Sequence, residues 1–186
     1  MRCATAMPSS EPISVVNTGQ QWKYGDAEMT DELMRRVIAL SRQGVEQGHG
    51  GPFGCVIVKN NEIVAEAHNE VLSSKDPTAH AETLAIRRAS AALGTFDLSD
   101  CDLFTNGAPC CMCMSGMLWA RIRKAYYILP LEESAAIGLG DDHLYEELAR
   151  PLEERQIVPM IHAPALSAEA RAVYHFWRDK PDRIDF

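Results

Sequence analysis

Asp76-Pro77-Thr78-Ala79-His80-Ala81-Glu82 and Asn106-Gly107-Ala108-Pro109-Cys110-Cys111-Met112-Cys113 are the two stretches on which the reading of this chain turns. Each follows a strand-like run and opens a helix-like one. Asp76-Pro77-Thr78 supplies turn and capping residues, and the run after it is helical to Leu93, where Gly94 stops it. Asn106 to Pro109 reads as a turn that feeds a helix over about residues 110–121. If the two preceding strands point the same way, both helix N-termini meet at one edge of a sheet. His80, Cys110 and Cys113 then come together.

Those three side chains make a zinc donor set. Cys110 and Cys113 are spaced i, i+3, so they share one face of a first helical turn. Cys111 is rotated off that face and reads as a packed thiol. A helix N-terminus carries partial positive charge, which favours thiolates. Pro109 suits a helix start, where its missing N–H is not needed. Three protein ligands leave one tetrahedral position open, which marks a catalytic zinc site and not a structural one. Glu82 lies two positions past His80. It is placed to serve as general acid/base for an attacking water without ligating the metal. The order His-x-Glu, then Pro-Cys-x-x-Cys, matches the established signature of zinc deaminases.

Working outward, residues 30–47 form an amphipathic helix, with Leu33, Met34, Val37, Ile38, Leu40 and Val45 at helical spacing. Residues 53–59 and 62–68 read as a hairpin across Asn60-Asn61. Further strands are expected over 102–105, 124–129 and 157–162, and helices over 142–149 and 167–178. Helices alternating with strands after a hairpin argue for an α/β layered domain with a five-stranded mixed sheet. Residues 1–28 read as an N-terminal tail, 29–165 as the zinc-binding core, and 166–186 as a C-terminal helix and tail.

Composition narrows the function classes. Hydrophobic residues are 46% and charged residues 24%, so a folded domain is expected rather than a disordered chain. The formal net charge of −8 disfavours a phosphate backbone as partner, so a small molecule is expected and nucleic acid is not. No apolar run approaches membrane-spanning length, and the first residues lack the apolar core of a secretory signal. A cytoplasmic location is therefore expected. Of the six cysteines, three crowd into positions 110–113, which in a reducing compartment points to metal binding or catalysis.

At these residues the chain resembles the cytidine-deaminase-like superfamily, and within it the bacterial guanine deaminases. The likeness runs from about Gly50 to Phe186. It rests on Gly51-Pro52-Phe53-Gly54, Asn69, the two zinc stretches, Trp119-Ala120-Arg121, Gly138-Leu139-Gly140-Asp141, Tyr145, Pro151, Glu153-Glu154-Arg155 and Trp177-Arg178. The resemblance implies a three-layer α/β/α fold, one Zn2+ per chain, and a homodimer whose C-terminal segment swaps onto the partner. It implies hydrolysis of guanine to xanthine and ammonia. Asn69 and the backbone of Ala81 would bind the purine, Asp141 would anchor it and shuttle protons, Phe53 and Trp119 would flank the ring, and Phe186 would close the partner's pocket. Read from the residues alone, Asn69 is equally a turn residue, Asp141 a helix cap, and Phe53 and Trp119 core residues. Two positions depart from the family pattern: Ala108 stands where Glu usually precedes the Pro-Cys-x-x-Cys stretch, and the chain ends in Phe186 where the guanine-deaminase branch tends to end in Tyr. Alternative substrates are a pterin, a triazine, guanosine, a cytosine compound or adenosine in transfer RNA. The non-enzymatic alternative is a protein in which zinc pins two helices together.

Overall fold

The computed structural model describes residues 27–185. Residues 1–26, most of the expected tail, and Phe186 lie outside the described residues. Helix α1 (Ala27–Glu46) starts three residues earlier than the spacing predicts, so Ala27 and Glu28 are helical. Then come β1 (Gly54–Lys59), β2 (Glu62–His68), the short α2 (Val71–Ser74), α3 (Ala81–Leu93), β3 (Cys101–Gly107), α4 (Cys111–Trp119), β4 (Lys124–Leu129), α5 (Leu131–Ala136), α6 (Asp142–Ala149) and α7 (Ser167–Arg178).

The sheet order is β2-β1-β3-β4. Strand β1 pairs antiparallel with both β2 and β3, and β3 pairs parallel with β4. Strands β2, β3 and β4 therefore run the same way, and their C-terminal ends share one edge. Ligand sites of open α/β sheets form at such an edge.

Strand β1 lies at the centre and is buried on both faces. Cys55 and Ile57 join Ala81, Ala85, Ala89, Leu103 and Met117 under α3 and α4. Val56 and Val58 face the other way, into Met29, Leu33, Val37 and Leu40 of α1. The period-two alternation of the strand thus meets helical stripes on both sides, giving three layers. Each fully buried aliphatic side chain contributes about 1.5–3 kcal/mol.

The expected fifth strand, 157–162, is corrected: four strands form among the described residues, and that segment is irregular. The physical reason is local. The Glu147 carboxylate accepts the backbone N–H groups of Gln156 and Ile157, each at 2.7 Å, and Pro159 has no N–H for a ladder. No helix among the described residues is long and apolar enough to cross a membrane.

Candidate active site

His80 and Cys110 hold equivalent places in the fold. His80 is the residue before α3, with φ −69° and ψ 152°. Cys110 is the residue before α4, with φ −66° and ψ 168°. Both backbones are still extended there, so both side chains leave the chain just before the helix starts. The Asp76 carboxylate prepares the first position by accepting the Thr78 backbone N–H at 2.8 Å and the Thr78 hydroxyl at 2.7 Å. Those bonds hold Asp76 below the ordinary carboxylate range. Cys113 lies in the first turn of α4 and is fully buried.

The three donors converge. His80 Nδ1 is 3.5 Å from Cys110 Sγ and 3.5 Å from Cys113 Sγ. All three ligand atoms lie within 4.8 Å of one another. A tetrahedral zinc with ordinary Zn–S and Zn–N lengths needs sulfur–nitrogen edges of about 3.6 Å. The donor set therefore fits zinc in chemistry and in spacing. It has three members among the described residues, and neither Glu82 nor Asp141 belongs to it. The two sulfurs are electrostatically linked: the bond from Cys113 holds the Cys110 thiol well below its ordinary value, and that same link together with burial pushes Cys113 up.

Glu82, in the first turn of α3, is 4% exposed. Its Oε1 accepts the Thr105 hydroxyl at 3.3 Å, and its Oε2 lies 3.4 Å from Cys113 Sγ. Burial raises its pKa, an effect larger than that of its own hydrogen bonds. A carboxyl so placed can hold a proton nearer neutrality than an exposed one.

Asn69 follows the end of β2 and is 5% exposed. Its Oδ1 accepts the backbone N–H groups of Gly51 and Val71, both at 3.2 Å, and its own N–H donates to the Phe53 carbonyl at 2.9 Å. Phe53 is half-buried just before β1. Ala81, the first residue of α3, is fully buried. Asp141 precedes α6, and its side chain makes no capping bond, so that alternative is not realised. Its Oδ2 is buried without a hydrogen-bond partner among the described residues. Burial and then the charge of Cys110 raise its pKa.

Trp119 is placed elsewhere. It ends α4, nine positions after Cys110, and is 69% exposed beside Ser115, Leu118 and Arg121. Within one chain it does not join the cluster at the other end of that helix. Thr105 and Asn106 carry parts of the site to which reading the residues gave no role, and Tyr145, named there only for the resemblance, makes a contact beside the donors. Thr105 holds Glu82, Asn106 holds the chain around Phe53, and the Tyr145 hydroxyl donates to the Pro109 carbonyl at 3.3 Å. Asn106 had a visible signal, but Asn-Gly reads as a turn.

Residues 27–129 match the model of the cytidine and deoxycytidylate deaminase zinc-binding region. The chain belongs to this zinc-dependent deaminase family. Among its relatives, the guanine deaminase of Bacillus subtilis strain 168 is 44% identical over 127 residues, 68% of this chain and 81% of the relative. A tRNA-specific adenosine deaminase of Aquifex aeolicus is 46% identical over 95 residues, 51% of this chain and 62% of the relative. The crystal structure of the Bacillus subtilis guanine deaminase superposes with a TM-score of 0.79 at 38% identity, covering 84% of this chain and 98% of that one. As a member of the family the chain is a zinc-dependent hydrolytic deaminase, and His80, Cys110 and Cys113 can hold its metal.

Proposed function

We propose that this deaminase acts on guanine, replacing the amino group on the ring carbon by oxygen and releasing xanthine and ammonia. The observation that carries the reading is the pair of carboxylates beside the zinc donors. Glu82 is buried against Cys113, and Asp141 keeps a buried, unpartnered oxygen near Cys110. The likeness to guanine deaminases supports the choice of base.

Zinc, when bound, supplies a Lewis acid that makes water nucleophilic near neutral pH. Glu82 takes the proton from the attacking water and delivers it to the ring nitrogen next to the attacked carbon. It then takes the remaining proton from the newly added hydroxyl and passes it to the departing amine, so that the carbonyl forms as ammonia leaves. Asp141 binds the amino side of the base and assists that last transfer. Asn69 has its carboxamide oxygen committed to Gly51 and Val71, which leaves its Nδ2 donors for the base. The backbone at Ala81 contributes a further polar contact, and the Phe53 ring stacks on the purine.

The working unit in this reading is a homodimer built with the C-terminal segment, residues 166–186. On α7, Val173, Tyr174 and Phe176 are each more than 60% exposed, as are Leu118 and Trp119 on α4. Exposed large apolar side chains grouped on these two helices support a contact surface for a partner. A second copy would bring its Phe186 to close the pocket and its contact surface to Trp119.

The test is a substrate panel. Guanine, cytosine, adenosine and a short RNA hairpin are supplied to purified protein and ammonia is measured. The last two matter because of the likeness to a tRNA-specific adenosine deaminase. Turnover of guanine is expected, and ammonia only from cytosine, adenosine or RNA rejects the assignment. Glu82→Gln should retain one zinc per chain and lose about 10²–10⁴-fold in kcat, the range ascribed to a general acid/base. Full activity in that variant rejects the role given to Glu82.

A further inference from the structure

Strand β3 ends with Thr105, Asn106 and Gly107, and all three touch the site. Thr105 bonds Glu82. Asn106 does something different from the turn its sequence suggests. Its Oδ1 accepts the Gly54 backbone N–H at 2.8 Å, and its Nδ2 donates to the Pro52 carbonyl at 2.8 Å. The side chain thus grips the peptide groups on either side of Phe53. The ladder between β1 and β3 reaches Cys55 opposite Thr105. Just beyond it, where β1 leaves β3, the Asn106 carboxamide stands in for the missing backbone pair.

The peptide groups around Phe53 have further partners. The Phe53 N–H donates to the Gly51 carbonyl at 2.8 Å, and the Phe53 carbonyl accepts from Asn69 at 2.9 Å. With Asn106 in place, every peptide group from Pro52 C=O to Gly54 N–H is bonded. The ring itself lies in a slot between two glycines. A Cβ on Gly51 would stand 3.2 Å from ring carbons, and one on Gly107 would stand 3.1 Å from another. The backbone bonds and the two glycines thus bear on the same residue, the first on its peptide groups and the second on its ring.

We propose that Asn106 is a positioning residue for substrate binding. It fixes the aromatic wall at Phe53 and, through the Phe53 carbonyl, the amide anchor at Asn69. The inference rests on the proposed roles of those two residues in holding the base, and it assigns Asn106 no contact with the base or the metal.

The test uses Asn106→Ala and Asn106→Asp in the full-length, zinc-loaded protein. Ala removes both bonds. Asp keeps an acceptor for Gly54 but sets a carboxylate oxygen against the Pro52 carbonyl. Both variants should raise KM about tenfold or more for whichever base the panel identifies, with kcat within about threefold, the signature of lost ground-state binding. Zinc content should stay at one per chain. Crystal structures of the variants should show the Phe53 ring moved by more than about 0.5 Å, beyond the tolerance of a preorganised site. A purely structural role predicts a lower Tm with KM unmoved, and that result overturns the proposal. So does a Phe53 ring that keeps its place in both variants. If the wild-type protein turns over no member of the panel, the substrate reading fails, and the position of Phe53 still decides this inference. Should the Ala variant not fold, the Asp variant carries the same measurements.

Discussion

Gly50→Ala probes the substrate side of the site without touching the metal side. Gly50 is not among the glycines with positive φ, so space alone decides the outcome. A Cβ there would overlap Asn69 Oδ1, stand 2.8 Å from the Asn69 carbonyl oxygen and 3.0 Å from its Cγ. Real Cβ contacts do not close to those distances, and Asn69 is short and 5% exposed, with little room to swing away. Its Oδ1 must leave the N–H groups of Gly51 and Val71. Losing partners at a buried polar group costs about 1–3 kcal/mol. For a chain of this length that is a fall in Tm of about 2–12 °C. The displacement is of the order of 1 Å, and misplacements of that size cost about 10²-fold in kcat/KM. The assay is kcat/KM on guanine, with zinc content and a melting curve on the same preparation. Expected are a Tm lower by several degrees, kcat/KM down by about two orders of magnitude and one zinc per chain. Wild-type kinetics with a wild-type Tm would show that Asn69 is not held as described. Loss of zinc would show that the disturbance reaches His80, and the separation of the two sides would fail.

Two further outcomes follow from other contacts. His68 packs its ring on His49, with centroids 5.1 Å apart and Nε2 2.8 Å from His49 Nδ1. Burial, then His49 and Arg88, lower its pKa below 6.5, against an opposing pull from Glu70. A folded-state pKa below the unfolded one means the native protein binds fewer protons. That stability is complete above about 6.5 and is lost as pH falls through the depressed folded value. Urea midpoints should therefore fall more steeply below pH 6.5 in the wild type than in His68→Gln, and parallel curves would remove His68 as the cause. On α4, a Cβ at Gly116 would meet only Ile86 Cδ1, at 3.8 Å. Gly116→Ala should stabilise the helix by about 1 kcal/mol and raise Tm by about 2–4 °C, with kcat unchanged. A lower Tm would mean that this face of α4 is not clear.

What can be read from residues alone follows a physical division between local and distant partners. The helices over 142–149 and 167–178 and the strand over 124–129 have the expected bounds, because turn residues and apolar periods lie within or beside the segments themselves. The metal donors are legible for the same reason. Cys110 and Cys113 are one helical turn apart, and His80 marks a helix start that Asp76 and Thr78 prepare. The fifth strand fails because a strand needs a neighbour. Ile157, Val158, Met160 and Ile161 make an apolar run, but Glu147, ten positions upstream of Ile157, takes its N–H donors. Asn106 is misleading in the same way. Asn-Gly signals a turn when nothing distant claims the carboxamide, and here Pro52 and Gly54, more than fifty positions away, claim both ends of it. The two kinds of residue have different work in one site. The chemistry of the donors depends on which atoms meet the metal, and a short motif can encode that. The fit to a substrate depends on where Phe53 and Asn69 stand, and their place is set by β3, by Gly51 and by Gly107 together. A change of base preference within this fold is therefore expected to arise at such gripping positions and at the slot glycines, while the zinc stretches stay as they are.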